Sequence, residues 1–328
     1  MKMIARRTFV AGAAGVAMSS LLPRRTRALD YPARPVRLVV GFPPGQSGDL
    51  SARLLGQWLS DHLGQPFVID NRPGAASTIA TDIVAHAPPD GYTLLWVVTS
   101  NYVNATLEPN LPYDFVRDIT PIASSNRTPL VLEVHPSVPV TTVAEFIAYA
   151  KANPGNLNMA SGGNGNSTHM AGELFKMLTG VQMIHVPYRG STPALTDLLA
   201  GRVQVMFDLM PSSIGYIKAG KLRALAVTTT TRSATLPELP TVADFVPGYE
   251  ASGLGGIGAP RGVSAEIVNA INTEVNAALN DATIKARFAQ LGSMPLPGSP
   301  ADFAKLIGGE IDKWRRVIEF AGVKAGAD

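Results

Sequence analysis

Two glycine-rich segments contain the residue types that bind a small anion. One covers residues 41–49 and the other residues 161–169, and each separates a predicted strand from a predicted helix. Glycine lets the main chain approach a ligand closely, and free N–H groups at the start of a helix attract negative charge. Helix capping is the alternative role for Ser47 and Asp49. The candidate ligand-binding residues in these segments are Phe42, Pro44, Gly45, Gln46, Ser47, Gly163, Gly165, Asn166, Ser167, Thr168 and His169.

Further candidate ligand-binding residues follow other predicted strands. Thr99, Ser100 and Asn101 end one strand, Asp208 ends another, and Tyr188 follows a third. Ligands of parallel α/β sheets bind beyond the carboxyl ends of the strands, so these side chains are placed to line the same cleft. For Asp208 the alternative is a helix cap, and for Tyr188 it is packing within its own loop.

The residues that suggest catalysis do not form a recognisable catalytic motif. Ser167, His169 and Asp208 are the residue types of a nucleophilic triad, but Ser167 and His169 are only two positions apart at a helix start. The stretch 165–169 has histidine where a nucleophile elbow needs its second glycine. There is no cysteine, and the five histidines lack metal-ligand spacing. We therefore expect no catalytic residue, no cofactor and no metal site.

Short β-branched runs alternate with segments of helical period along most of the chain. This alternation predicts an α/β fold with mostly parallel sheets flanked by helices. The predicted strands cover residues 36–41, 67–70, 93–98, 130–134, 157–160, 182–186, 203–207, 222–227 and 254–259. The predicted helices cover residues 49–63, 78–86, 142–152, 168–179, 192–200, 264–279, 282–291 and 300–320.

The order of the predicted elements indicates two lobes. The C-terminal part has too few strands for its own sheet, so we expect it to return to the first lobe. Lobe one then comprises residues 29–128 and 252–328, and lobe two residues 129–251. Two chain crossings between lobes form a hinge, and the cleft between them is a natural ligand site.

The N-terminus has the features of an export signal. Residues 1–28 contain paired arginines, Arg6 and Arg7, then an apolar stretch and a small-residue cleavage site after Ala28, as in a twin-arginine signal peptide. They hold six of the 28 basic residues, which leaves 22 against 25 acidic residues, a formal net charge of −3. The charge gives no support to a nucleic-acid partner. We expect a soluble periplasmic protein.

Several ordered motifs make the chain similar to the solute-binding receptors of tripartite tricarboxylate transporters, the Bug family. The similarity covers essentially all of the chain after the signal. The motifs are the runs 31–35, 42–49, 71–74, 89–94, 111–114, 185–188, 220–227 and 239–242, which read YPARP, FPPGQSGD, NRPG, PDGYTL, LPYD, HVPY, GKLRALAV and LPTV.

The resemblance implies a two-lobed periplasmic-binding-protein fold of type II. In similar proteins the first loop holds one end of the ligand, and the glycine and serine loop of lobe two holds a carboxylate. Here these loops fall on residues 42–47 and 163–169, with Asp208 near the second. Gln46 stands where a second glycine is common in the family, and Leu254 stands where tryptophan is often found, so we expect the size and polarity of the pocket to differ from those of relatives.

We therefore hypothesise a monomeric extracytoplasmic receptor that captures a small organic carboxylate and delivers it to membrane permease subunits. The alternatives are a ligand-sensing subunit of a signalling system and a periplasmic hydrolase. We expect the ligand to bridge the two lobes and thereby to favour the closed state of the protein over the open state.

Overall fold

Residues 31–323 are described by a computed structural model of the chain. The predicted signal peptide, with cleavage after Ala28, lies outside these residues. Within them, no helix combines the length and apolar character that crossing a bilayer requires.

Within residues 31–323, ten strands form a single mixed sheet, and most match the β-branched runs of the sequence to within a few residues. The strands are β1 (Val36–Val40), β2 (Phe67–Asn71), β3 (Thr93–Val98), β4 (Ile119–Val134), β5 (Asn158–Ser161), β6 (Ile184–Pro187), β7 (Val205–Leu209), β8 (Arg223–Val227), β9 (Ser252–Pro260) and β10 (Met294–Pro295).

Eleven α-helices cover the sheet in the described part of the chain. They are α1 (Ser47–Leu63), α2 (Thr78–Ala85), α3 (Thr99–Leu107), α4 (Phe115–Asp118), α5 (Val143–Ala152), α6 (Ser167–Thr179), α7 (Ser191–Leu199), α8 (Met210–Lys218), α9 (Ala265–Asn280), α10 (Ala282–Gln290) and α11 (Pro300–Ala321). The predictions did not include α3, α4 and α8.

The sheet has two parallel halves joined by antiparallel strands. Its order is β2-β1-β3-β9-β4-β7-β5-β6, with β8 and β10 also paired to β4. The pairs β1–β2, β1–β3, β5–β6 and β5–β7 are parallel, whereas every pair that includes β4 or β9 is antiparallel. The α/β prediction is confirmed, and the two strands that pass between the halves make the sheet mixed. Below, lobe one is the half built on β1–β3 and lobe two the half built on β5–β8.

Strand β4 belongs to both lobes. Residues 119–129 pair with β9, and residues 130–134 pair with β7 and β8. Strand β9 lies between β3 and β4 and thus pairs with a strand of lobe one. The residue boundaries of the two lobes stay a prediction.

Aromatic packing fills the interior beneath the antiparallel strands. Phe175 lies 5.4 Å from Phe207 and 6.1 Å from Tyr249 between ring centroids, and all three side chains are fully buried. The last helix, α11, packs against α3, α6 and β4 and buries Trp314. Because α11 contacts helices of both lobes, it supports the region where the chain crosses.

Candidate ligand-binding site

A cavity of about 340 Å³ lies between the two lobes, where the parallel strands end. Its walls come from the strand-to-helix junctions after β1, β3, β5, β6 and β7, together with residues of β4 and β9. The candidate residues from the sequence that line it are Phe42, Gly45, Gln46, Ser47, Thr99, Ser100, Asn166, Ser167 and Thr168. Both glycine-rich segments thus face one cavity.

No Asp, Glu, Lys, Arg or His side chain lines this cavity among residues 31–323. The starts of five helices, α1, α3, α6, α7 and α8, line it instead. The first N–H groups of a helix have no partner within the helix and carry a partial positive charge. The N-cap residues of α1 and α7, Gln46 and Gly190, make no side-chain hydrogen bond to these groups. The positive partial charge in the described lining of the cavity therefore comes from these helix starts.

Asp49 and Asn71 hold the first glycine-rich loop in place. Asp49 accepts hydrogen bonds from the Gly45 amide at 2.8 Å and from Arg53 at 2.9 Å. Asn71 donates to the Asp49 carboxylate at 2.8 Å and to the Phe42 carbonyl at 2.9 Å. Burial opposes ionisation of Asp49, but the hydrogen bonds from Arg53, Gly45 and Asn71 outweigh it and lower the pKa. The carboxylate thus fixes the loop and leaves the Ser47 end facing the cavity.

The second glycine-rich loop is organised by Asn166. Its side chain accepts a hydrogen bond from the His169 amide at 3.0 Å, and this bond caps α6. It also accepts a hydrogen bond from the Thr168 hydroxyl at 2.7 Å. Thr168 in turn accepts from the Gly162 amide at 2.8 Å. Gly165 has φ +69°, a conformation that favours glycine. The capping bonds hold the loop in a fixed shape beside Ser167.

His169 lies beneath this loop and does not line the cavity. Its Nδ1 accepts a hydrogen bond from the Gly165 amide at 3.1 Å, and its ring stacks on His185 at 3.7 Å between centroids. The Ser161 hydroxyl lies 2.6 Å from Nε2 of His185. Burial, with a smaller effect of His169, lowers the pKa of His185 to about 3. The stacked imidazoles support the loop from below.

Other candidates also lie outside the cavity lining. Asn101 is fully buried, accepts from the Val98 amide at 2.6 Å and donates to Thr81 at 2.8 Å, so it holds the start of α3. The Tyr188 hydroxyl donates to Asp197 at 2.8 Å. The candidates that do not line the cavity are Pro44, Asn101, Gly163, Gly165, His169, Tyr188 and Asp208.

Asp208 reaches the cavity only through Ser191. Its buried carboxyl accepts a hydrogen bond from Ser191 at 2.7 Å. The Ser213 hydroxyl lies 3.0 Å from the same carboxyl and 2.7 Å from the Glu133 carboxyl, so its single proton can be donated to either one. Burial raises the pKa of Asp208 to about 6, although the two serine hydroxyls oppose the shift. Burial and repulsion by Asp208 raise the pKa of Glu133 well above its usual range. A proton on Glu133 stabilises this pair.

The three triad residue types are not connected to each other. In the described part of the chain, no hydrogen bond joins Ser167 to His169 or His169 to Asp208. Glu173 is the acidic neighbour of His169, with 3.6 Å between His169 Nε2 and a Glu173 oxygen. This arrangement provides no base for activating Ser167.

Several residues that line the cavity were not among the candidates from the sequence. Ser191 and Thr192 begin α7 and face the cavity, and Asn126 and Thr128 line it from β4. Gly190 and Ser191 lie between strand β6 and helix α7, as the two glycine-rich segments lie between a strand and a helix. The same sequence pattern could therefore have identified Ser191 and Thr192 as candidates. Asn126 and Thr128 follow no such signal, because they lie inside a strand that crosses between the lobes.

Gln46 extends from lobe one toward lobe two. A Cβ atom added to Gly190 would lie 2.9 Å from the Gln46 amide nitrogen. Gly190 has a backbone φ of +105°, which residues other than glycine rarely adopt. The Gln46 side chain therefore lies next to Gly190, at the start of α7.

The chain is similar to known proteins over nearly its whole length. The family model described as the tripartite tricarboxylate transporter family receptor matches residues 51–323. Protein BugT of Bordetella pertussis is 38% identical over 297 residues, which are 90% of this chain and 91% of BugT.

Two solved structures are similar as well. R. palustris Rpa4515 with adipate is 42% identical with a TM-score of 0.84, over 89% of this chain and 99% of that one. MatC from Rhodopseudomonas palustris with bound malate is 32% identical with a TM-score of 0.79, over 88% and 100%. These matches confirm the resemblance that the sequence motifs indicate.

Proposed function

Because the chain belongs to the tripartite tricarboxylate transporter receptor family, we propose that it captures a small organic carboxylate between its lobes and delivers it to the permease subunits of such a transporter. The observation that carries the proposal is that the starts of five helices line the cavity, while none of its lining residues in the described part of the chain has a charged side chain. Main-chain N–H groups and helix dipoles bind carboxylates without a basic side chain.

The size of the cavity supports a small ligand. At about 340 Å³ it lies near the lower end of the range of small-molecule sites, roughly 300–1,000 Å³. Adipate and malate, which similar proteins hold, are ligands of this size class. Both are dicarboxylates, and a cavity with helix starts on two sides suits such molecules.

We propose that the protein acts outside the cytoplasm and has no catalytic activity. The receptors of this family are periplasmic, and residues 1–28, removed after Ala28, supply the export signal. The lack of a base beside Ser167 supports binding without turnover. A sensor subunit is the second candidate, and uptake of labelled ligand by cells that lack the protein separates the two. We expect a monomer.

Isothermal titration of the mature protein against organic acids, amino acids and aromatic carboxylates tests the proposal. We expect one or more small carboxylates to bind and to raise the melting temperature, because a ligand that binds only the folded state stabilises it. Failure of every carboxylate to bind would overturn the proposed function.

Substitution of Ser167 tests the second glycine-rich loop. Ser167→Trp places a large ring inside the cavity and should abolish both carboxylate binding and the ligand-induced rise in melting temperature. Leu178→Trp is the matched control, since Leu178 lies near the other end of the same helix and is 40% exposed. If the Ser167 variant binds like the control, the loop is not part of the site.

A further inference from the structure

A chain of four polar side chains runs from two buried carboxyl groups to the wall of the cavity. Ser191 lines the cavity at the start of α7, and its hydroxyl lies 2.7 Å from Asp208 Oδ1. The Ser213 hydroxyl lies between the other oxygen of Asp208, at 3.0 Å, and Glu133 Oε1, at 2.7 Å. Asp208, Glu133 and Ser213 are completely buried. The chain thus connects the interior of lobe two with the proposed ligand site.

The hydrogen bonds of this chain require at least one proton on its carboxyl groups. Ser213 has a single hydroxyl proton, which it donates to one carboxyl at a time. Its contact with the other carboxyl is a hydrogen bond only if that carboxyl carries a proton and donates it to the Ser213 oxygen. Glu133 Oε2 is buried and forms no hydrogen bond with any residue among 31–323, which disfavours a charge on this group. Glu133 therefore holds the first proton, and Asp208 is the group that gains or loses the second.

Glu133 on β4 is the titratable side chain that faces Asp208. Asp208 lies on the side of β7 that α7 covers, because Met206, two positions earlier, packs with Leu195 of that helix. The other titratable side chains on the elements that pack against β7 are Arg127 of β4, Asp197 of α7, Tyr216 and Lys218 of α8, and His169, Glu173 and Lys176 of α6. In the described part of the chain, none of them forms a hydrogen bond or an ion pair with either carboxyl group. Burial thus raises the pKa of Asp208 to about 6, and the two serine hydroxyls limit the rise.

The protonation state of Asp208 decides which way the Ser191 hydroxyl points. Without a proton, the Asp208 carboxylate accepts the hydroxyl hydrogen, and Ser191 presents only lone pairs to the cavity. With a proton on Oδ1, Asp208 donates to the Ser191 oxygen, and the Ser191 hydrogen is free to point into the cavity. An ionised carboxylate only accepts hydrogen bonds, so it binds the protonated state more tightly.

We propose that Asp208 is a positioning residue that orients the Ser191 hydroxyl, so that the protein captures a carboxylate together with a proton. This inference rests on the proposed carboxylate function and adds a pH regulation of the same site. The ligand enters as an anion, one proton from the solution forms an O–H bond on Asp208 Oδ1, and no covalent bond of the ligand changes. Release of the ligand returns the proton to the solution.

The sign of the pH dependence follows from this coupling. At a pH below the Asp208 pKa of about 6, the free protein already carries the proton and the affinity is full. As the pH rises through this value, each binding event must first take up a proton, so the affinity falls. The negative charge of a bound carboxylate raises the pKa of Asp208 further, and proton uptake therefore extends above this value.

Titration calorimetry between about pH 6 and pH 8.5 tests the coupling, with adipate, malate, glutamate and benzoate as probes. For at least one acid, the wild-type dissociation constant should rise about fivefold or more over this range. Heats measured in phosphate and in Tris near pH 7 should differ in the direction of proton uptake, because the two buffers release a proton with different enthalpies.

Asp208→Asn replaces the switchable group with a permanent N–H donor. This variant should bind the same acid with a dissociation constant that changes by less than about twofold over the range, and without proton uptake. Ser191→Ala keeps the carboxyl but removes the hydroxyl that it orients, and should also lose the pH dependence. Comparison of the variants with wild type on one acid cancels the titration of the acid itself.

Glu133→Gln is the matched control, because it neutralises the other buried carboxyl and leaves the contact between Asp208 and Ser191 in place. This variant should keep a pH dependence of affinity. A wild-type pH profile in Asp208→Asn or in Ser191→Ala, or a wild-type affinity that does not change with pH, would overturn the coupling and leave carboxylate capture intact. Absence of binding by all four acids would overturn both proposals.

Discussion

Asp208 affects the cavity through the serine that separates them. The Ser191 hydroxyl donates to the buried Asp208 carboxyl, so its lone pairs remain for the cavity side. Ser213 connects the same carboxyl to Glu133, and all three groups are fully buried. Burial raises the pKa of both carboxyl groups, and repulsion by Asp208 adds to the rise in the pKa of Glu133.

The raised pKa of Asp208 predicts a pH dependence of stability. The folded-state pKa is about 6, above the value of about 3.9 for an unfolded chain. Between the two pKa values, Asp208 is protonated in the folded state but not in the unfolded state. Its contribution to stability is therefore full below the unfolded-state pKa and is lost as the pH rises through the folded-state pKa.

Asp208→Asn should remove this loss. Thermal melts between pH 4 and pH 7 should therefore show the variant gaining in melting temperature relative to wild type as pH rises. The difference between the two proteins is the quantity to follow, because other groups titrate in both. A difference that stays constant over this range would contradict the proposed protonation of Asp208.

Individual side chains in the loops were harder to predict than the loops themselves. The glycine-rich pattern identified two segments that line the cavity, yet His169 of the second segment, like Asn101 at the start of α3, does not line it and instead hydrogen-bonds to the backbone. A polar residue beside such a loop either meets the ligand or supports the loop, and its type alone does not distinguish these roles. Trp96 and Ser51, which also line the cavity, were missed because they lie within a strand and a helix.

At the scale of elements, an ionic cluster joins the strands that cross between the lobes. Arg127 on β4 contacts Glu250 just before β9 at 2.6 Å, and Lys313 on α11 contacts the other oxygen of Glu250 at 2.9 Å. Arg127 also donates to Ser252 at 3.0 Å. Burial opposes ionisation of Glu250, but Lys313 and Arg127 outweigh it and lower the pKa.

Glu250→Ala should weaken this junction. The change leaves Arg127 and Lys313 with partly buried charges that have lost a partner, and we expect the free energy of unfolding to fall by about 2 kcal/mol. Urea unfolding followed by circular dichroism measures the change. Glu319→Ala, at an exposed position of α11, is the control and should change stability by less than about 0.5 kcal/mol. Equal stabilities of the two variants would show that the cluster does not hold the crossing.

Strands and long helices were predictable because their hydrophobic patterns are strong. The predicted strand 93–98 coincides with β3, and the predicted helix 282–291 ends one residue beyond α10. Helices α3 and α8 were missed because each begins at the residue after a strand, without intervening glycine or proline to mark the change. The length of β4 was underestimated, since Pro121 and Pro129 interrupt its pattern.

At the scale of the whole molecule, the proposed ligand site differs from many anion sites, because no basic residue among those described lines it. No charged side chain lines the cavity within residues 31–323, and removal of residues 1–28 leaves a formal net charge of −3. Neither feature attracts anions over long distances. Affinity must therefore come from short-range contacts inside the cleft.

Titrations at different salt concentrations test this conclusion. The dissociation constant of a bound carboxylate should change by less than about threefold between roughly 20 mM and 500 mM sodium chloride, because contacts in an enclosed site are little screened. A loss of affinity by an order of magnitude or more at high salt would indicate a cationic side chain in the binding site.

An anion site made of helix starts also constrains how such receptors diverge. The N–H groups that we propose to hold a carboxylate belong to the helix starts, so a sequence that keeps these helices keeps most of them. Positions such as Gln46, Trp96 and Leu254 surround those groups with neutral side chains, and exchanging them alters which acid fits without removing the ability to hold one. Gene duplication can therefore produce paralogues with new cargo through a few substitutions at neutral positions.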